Sequence, residues 1–139
     1  MNMRYGFDRV MIPMRRDDED ILSYITKKVG YTRHVTLIDP AKQSPETAAK
    51  RASTAIEAGS AMIFVGGSTD TPDEIVHATC LAIQEELELR VFAASQSPEN
   101  DENEWKIPVV LFPGGSHALS PAADAITFMM LMNSLDRRF

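Results

Sequence analysis

The chain has 139 residues, 44% of them hydrophobic and 24% charged, which is the length and balance of one globular domain with a real core. Its net charge of -6 excludes broad nucleic-acid binding, which needs a basic surface to displace counterions. No run approaches the roughly 18 apolar residues of a spanning helix, and the N-terminal "MRYGFDRVMIPMRR" lacks the sustained apolar stretch of a signal peptide.

In chain order, "DDEDILSYITKK" reads first as a helix, with acids at its start and lysines at its end in accord with the helix dipole. Three segments then share one grammar: an apolar strand-like run, a loop, and Ser or Thr followed by Pro. They are "HVTLIDPAKQSPETAAKRASTAIEAG", "AMIFVGGSTDTPDEIVHATCLAIQEEL" and "IPVVLFPGGSHALSPAADAITFMMLMNS". Ser44-Pro45, Thr71-Pro72 and Ser120-Pro121 each suit a helix N-cap followed by proline in the first turn, where its missing N–H costs nothing. Thr71 with Glu74 also has the spacing of a capping box.

The helix from Pro45 offers a small-residue face of Ala48, Ala52, Ala55 and Ile56, and Gly59 suits its C-terminal cap. The next helix carries Val76, Cys80, Ile83 and Leu87 on one stripe, so Cys80 is expected in the core. As the lone cysteine it forms no internal disulfide. No His or Cys lies near it at zinc-ligand spacing, and a reducing, cytoplasmic setting is expected. "FAASQSPENDENEWK" reads as an exposed acidic loop, with Trp105 docking its end. The helix after Ser120 must be very short, because "ADAITFMMLM" resumes the strand pattern almost at once.

The strands lack polar alternation, as in Ile63-Phe64-Val65 and Val109-Val110-Leu111-Phe112, which indicates a parallel sheet covered on both faces. Two α/β architectures accommodate such units. One is a flavodoxin-like doubly wound sheet, and the other is the first half of a (β/α)8 barrel, complete at about 250 residues.

In either architecture functional groups gather at the carboxyl ends of strands. Those ends read Asp39-Pro40, Gly66-Gly67-Ser68-Thr69, Pro113-Gly114-Gly115-Ser116 and Asn133-Ser134. Glycines let backbone N–H groups approach an anion, and hydroxyls supply neutral oxygen ligands. One acid on a neighbouring strand suits Mg²⁺, which favours few carboxylates plus water and phosphate oxygens. Each element alone also reads as an ordinary turn.

Taken in order, "HVTLIDPAKQSPE", "IFVGGST", "PVVLFPGG" and "ADAITFMMLMNS" resemble the archaeal geranylgeranylglyceryl phosphate synthases and their bacterial heptaprenylglyceryl phosphate synthase relatives, from about His34 to Ser134. The resemblance implies a TIM barrel and a Mg²⁺-dependent prenyltransferase. Such an enzyme joins a prenyl diphosphate to the 3-hydroxyl of sn-glycerol 1-phosphate and makes the first ether bond of archaeal-type membrane lipids. It implies Asp39 and Ser68 as metal ligands, with Gly66, Gly67, Gly114 and Asn133 on the substrate side. The Phe128–Met132 run is offered as one wall of an apolar trough for the prenyl tail, although such residues also serve as plain core.

On this reading residues 1–33 form an N-terminal extension with a helix, and 34–139 form the N-terminal half of the barrel, with the acidic loop at about 92–106. A homo-oligomer is expected, with no transmembrane segment and only transient membrane contact for the lipid product. His34, at the start of a strand, is expected to be structural. His77 is expected on a helix and away from the rim, and His117 near the rim. The family's residues for glycerol phosphate lie on later strands, beyond Phe139, so no catalytic residue carries over. The expectation is a fragment or incomplete form of a longer enzyme. The alternatives are a non-catalytic flavodoxin-like domain that binds a phosphorylated ligand or a protein, and a pseudoenzyme subunit completed by a second chain.

Overall fold

A computed structural model of the chain describes residues 20–26, 30, 32–67, 70–114 and 117–128. The elements are α1 (Ile21–Thr26), β1 (His34–Ile38), a 3-10 turn at Pro40–Lys42, α2 (Pro45–Glu57), β2 (Ser60–Gly66), α3 (Asp73–Ser95), a second 3-10 turn at Glu102–Trp105, β3 (Val109–Phe112) and β4 (Ala125–Ile126). The four strands form one sheet in the order β1-β2-β3-β4, every pair parallel.

Register divides the sheet into two faces. Ile38, Val65 and Leu111 lie in one row with Ile126, and Ile63 pairs with Val109 on the same side. Against this side pack Ala48, Ala52 and Ile56 of α2 and Val76, Cys80, Ile83 and Leu87 of α3, forming one buried cluster. Small alanines let α2 lie close to the strands, and the expected α3 stripe is buried throughout. The opposite row runs Leu37, Phe64, Val110 and Ala125. On that side the rings of Phe64 and Phe112 stack at 5.7 Å, while Leu37 is half exposed.

The helices lie on one face of this sheet, the barrel arrangement rather than the flavodoxin-like one. A strand order that always steps the same way, with right-handed crossovers, places each crossover helix on one side. Helices reach both faces only where the order reverses, as in a flavodoxin-like sheet. Apolar strands serve a barrel wall equally well, since its second face turns inward.

Helix boundaries follow local chemistry. Ser44 accepts the Thr47 N–H at 3.3 Å, Pro45 opens α2, and Gly59 follows its end at φ 98° with its N–H on the Ile56 carbonyl. In α3 the expected capping box is not the one used. The helix opens one residue later than expected, Pro72 takes the cap position without a side-chain cap bond, and Thr71 is buried.

No helix follows Ser120 among the described residues. Its hydroxyl instead accepts the Ala122 N–H at 3.1 Å in a short turn leading into β4. The expected loop from residue 92 also starts later, because α3 continues through Ser95. The rest of that segment is loop and 3-10 turn, and Trp105 packs at the edge of the core with the Arg90 guanidinium 5.1 Å from its ring centre. Of the first helix only Ile21–Thr26 is described. Its preceding Asp20 accepts the N–H and hydroxyl of Ser23, both at 2.8 Å.

Candidate active-site rim

Asp39 follows the last residue of β1, where the chain leaves the sheet. Its Oδ1 accepts the Ala41 N–H at 3.0 Å, and its backbone carbonyl accepts the Gln43 side-chain amide at 2.9 Å. The first bond holds the side chain against its own turn. Lys42 stands 3.6 Å from Oδ2 with its ammonium largely exposed, whereas the Asp39 carboxylate is only 16% exposed. Sequence reading passed over Lys42, although its place three residues after an aspartate at a strand end was a usable signal.

The neighbouring strand end fits closely around this carboxylate. A Cβ placed on Gly67 would lie 2.7 Å from Asp39 Oδ2 and 2.8 Å from its Cγ. Gly66 has φ 157°, and a Cβ there would come within 1.8 Å of the Phe112 carbonyl oxygen. A Cβ on Gly114 would meet the Gly67 carbonyl at 3.0 Å. The ends of β1, β2 and β3 therefore converge: backbone leaves no room for a Cβ at Gly66, and a Cβ at Gly67 would displace the Asp39 side chain. Asp39, Gly66, Gly67 and Gly114 share one rim. Ser68, Thr69, Gly115, Ser116 and Asn133 lie outside the described residues, as does 129–132 of the proposed trough; Phe128 is described and exposed.

Beside this contact the same two loops border an open cleft of about 390 Å³ lined by Asp70, Thr71, Pro72, Asp73 and His117. His117 Nε2 lies 3.1 Å from Asp70 Oδ1, so this histidine is at the rim as expected. The other two histidines serve the fold. His34 Nδ1 is 2.7 Å from the Ser60 hydroxyl between β1 and β2, and His77 Nδ1 is 2.8 Å from the Ser120 hydroxyl. Cys80 is fully buried, and burial pushes its thiol up to about 11.

One carboxylate at the rim is a donor of the kind Mg²⁺ takes. Among the described residues no three His, Cys, Asp or Glu side chains gather around one point. Mg²⁺ takes one or two carboxylates and completes its octahedron with water and phosphate oxygens. Asp39 supplies such a carboxylate, and the glycine contact leaves no Cβ beside it.

Parallel strands in sequential order, helices packed on one face and an acid beside glycine-rich loops at the carboxyl ends define βα units of the TIM-barrel type. The chain belongs to the PcrB family, whose pattern matches residues 26–139. It is 43% identical over 120 residues to the geranylgeranylglyceryl phosphate synthase of Thermoplasma volcanium, covering 86% of this chain and 40% of that protein. The enzyme of the same name from Methanococcoides burtonii is 38% identical, over 85% of this chain and 40% of that one.

Two solved structures agree. Wild-type GGGPS from Thermoplasma volcanium superposes with a TM-score of 0.68 at 39% identity, covering 87% of this chain and 42% of that one. The (S)-3-O-geranylgeranylglyceryl phosphate synthase from Thermoplasma acidophilum, in complex with sn-glycerol-1-phosphate, gives 0.66 at 33%, covering 85% and 41%. The chain thus spans about 40% of the length of the curated relatives it matches.

Proposed function

We propose that this protein takes part in prenyl transfer of the geranylgeranylglyceryl phosphate synthase kind, from a prenyl diphosphate to sn-glycerol 1-phosphate, and that the described rim is its diphosphate side. The observation that carries this reading is the Asp39 carboxylate held against Gly67, in a chain of this family. The relatives' names and the glycerol phosphate complex of one relative support the substrate pair.

In this reading Asp39, together with Ser68, would hold Mg²⁺. The bound ion supplies Lewis-acid neutralisation of the charge that grows on departing pyrophosphate. The chain's own part is positional. The turn bond from Ala41 fixes the Asp39 rotamer, and the missing Cβ atoms let a diphosphate approach the backbone. Lys42, largely exposed next to Asp39, is placed to meet a phosphate oxygen. No helix among the described residues is long and apolar enough to cross a membrane. The reading includes a cytoplasmic setting, a homo-oligomer and transient membrane contact for the product.

Asp39→Asn keeps the shape and removes the ligand charge. Prenyl transfer to sn-glycerol 1-phosphate, followed against Mg²⁺ concentration, should lose about a thousandfold in rate, or about 4 kcal/mol of barrier lowering. The loss belongs in kcat as well as in affinity, because the charge it answers develops as the bond breaks. Ser68→Ala should cost less, since water can replace a neutral ligand. An Asp39→Asn protein with unchanged rate and metal dependence would sink this site.

A further inference from the structure

The connection from β3 to β4 carries no helix among the described residues, yet from Ala118 to Ala122 it is tied to α3. Asp73, the first residue of α3, accepts two backbone N–H groups of that connection through Oδ1: Ala118 at 2.6 Å and Leu119 at 3.2 Å. Further along the helix, His77 meets the Ser120 hydroxyl, and the Gln84 side-chain amide donates to the Ala122 carbonyl at 2.9 Å. Asp73, His77 and Gln84 have the spacing of one helical face. Where the next helix was expected, α3 therefore acts as a template for an irregular segment.

The tie at Asp73 differs from the other two. Ala118 is the one non-glycine residue with positive φ among the described residues, at 62°. Such a conformation disfavours an L-residue and persists only where the surroundings over-determine it. Two N–H groups converging on a single carboxylate oxygen supply that determination, and bonds to a charged acceptor are the stronger kind. Immediately before this turn stands His117, opposite Asp70, and before that the loop begins at Gly114, against the Gly67 carbonyl. Two loops are thus joined at both ends, by the Gly67–Gly114 contact on one side and by Asp73 on the other. The segments between those joints carry Ser68, Thr69, Gly115 and Ser116.

We propose that Asp73 is a positioning residue of the rim. By clamping Ala118 and Leu119 to the start of α3 it sets the spacing of the β2–α3 and β3–β4 loops, and with it the seating of Gly114 on Gly67. Its Oδ1 is taken up by those two N–H groups. Asp73 acts on the diphosphate through the loops, so this assignment rests on the proposed function for its ligand and on the loop geometry for itself.

The test uses the 139-residue chain with Asp73→Ala and Asp73→Asn. Asparagine keeps an acceptor oxygen in the same place, and alanine does not. Residue-resolved hydrogen exchange should show at least tenfold faster exchange at Ala118 and Leu119 in the alanine variant. The change should extend to Gly67 and Gly114, with both sets largely restored in the asparagine variant. Faster exchange confined to 118 and 119, with Gly67 and Gly114 unmoved, would overturn the proposal, as would equal effects of both substitutions.

The second measurement is binding of inorganic pyrophosphate with Mg²⁺ by calorimetry. Affinity should fall about tenfold in Asp73→Ala and less than threefold in Asp73→Asn. Unchanged affinity in Asp73→Ala would overturn the positioning role. Failure of the unsubstituted chain to bind pyrophosphate would instead overturn the ligand reading, and hydrogen exchange would then decide Asp73 by itself.

Discussion

Adjacent glycines at the end of β2 do different jobs, and substitution should separate them. At Gly66 a Cβ would collide with backbone, the Phe112 carbonyl at 1.8 Å, and backbone of a paired strand cannot step aside. Gly66→Ala should cost about 3 kcal/mol or more in denaturant unfolding, the scale of enforced strain in a packed site. At Gly67 the neighbour is the Asp39 side chain, which can rotate away. Gly67→Ala should cost less, about 1 kcal/mol for the Asp39 turn bond that rotation gives up, while weakening Mg²⁺-dependent pyrophosphate binding, measured by calorimetry. Equal effects of the two substitutions on stability would contradict the contact geometry.

Cys80 offers a second residue-scale check. Its thiol is raised to about 11 by burial, against an ordinary value of 9.0, so the unfolded chain ionises first as pH rises. Stability from this group is then complete below pH 9 and declines as pH rises through 9 toward 11, by about 2–3 kcal/mol in total. Urea unfolding across that range should show the decline, and Cys80→Ala should abolish its thiol-dependent part.

At the scale of elements, α3 is the organising piece. It packs Val76, Cys80, Ile83 and Leu87 on the sheet, carries Asp73 and His77 toward the β3–β4 connection, and extends far enough for Arg90 to reach three partners. Arg90 donates to Glu86 at 2.8 Å and to Glu57 of α2 at 3.1 Å, and it lies over the Trp105 ring. Because the Arg90 side chain is 41% exposed, the ion pairs add little, and the contact with the Trp105 ring adds more. Arg90→Ala should cost about 1 kcal/mol and change Trp105 fluorescence, whereas Arg90→Lys should restore the charge without the stacking. A fluorescence spectrum indifferent to Arg90→Ala would refute the docking role. The extent of α3 also explains why the acidic loop begins later than its composition suggested. Phe92 and Ala93 continue a favourable helix, and only Ser97-Pro98 interrupts it.

At the scale of the whole molecule, the sheet presents an apolar face opposite its helices, and among the described residues β1 and β4 each pair on one side only. Leu37, on that face of β1, is 52% exposed, and Ile126, on the helix side of the β4 edge, is 55% exposed. Unpaired edges beside apolar surface template association. The 139-residue chain should therefore sediment with a concentration-dependent size, and Leu37→Lys should shift it toward monomer. A compact, cooperatively unfolding monomer of the unsubstituted chain would count against this.

Much of the molecule was legible in one dimension, for a physical reason. Burial is encoded by periodicity, so the α3 stripe, the alanine face of α2 and the apolar strands could be read from spacing alone. Caps depend on short-range chemistry, so Ser44-Pro45 and Gly59 were equally plain. The sequence by itself also determined the acid at one strand end and the glycines at the next. Only tertiary structure decided that they touch. The Asp39–Gly67 contact, the turn where a third helix was expected and the clamp at Asp73 all depend on parallel register and on crossovers that wind one way. Those are properties of strands far apart in the chain, and no local pattern records them.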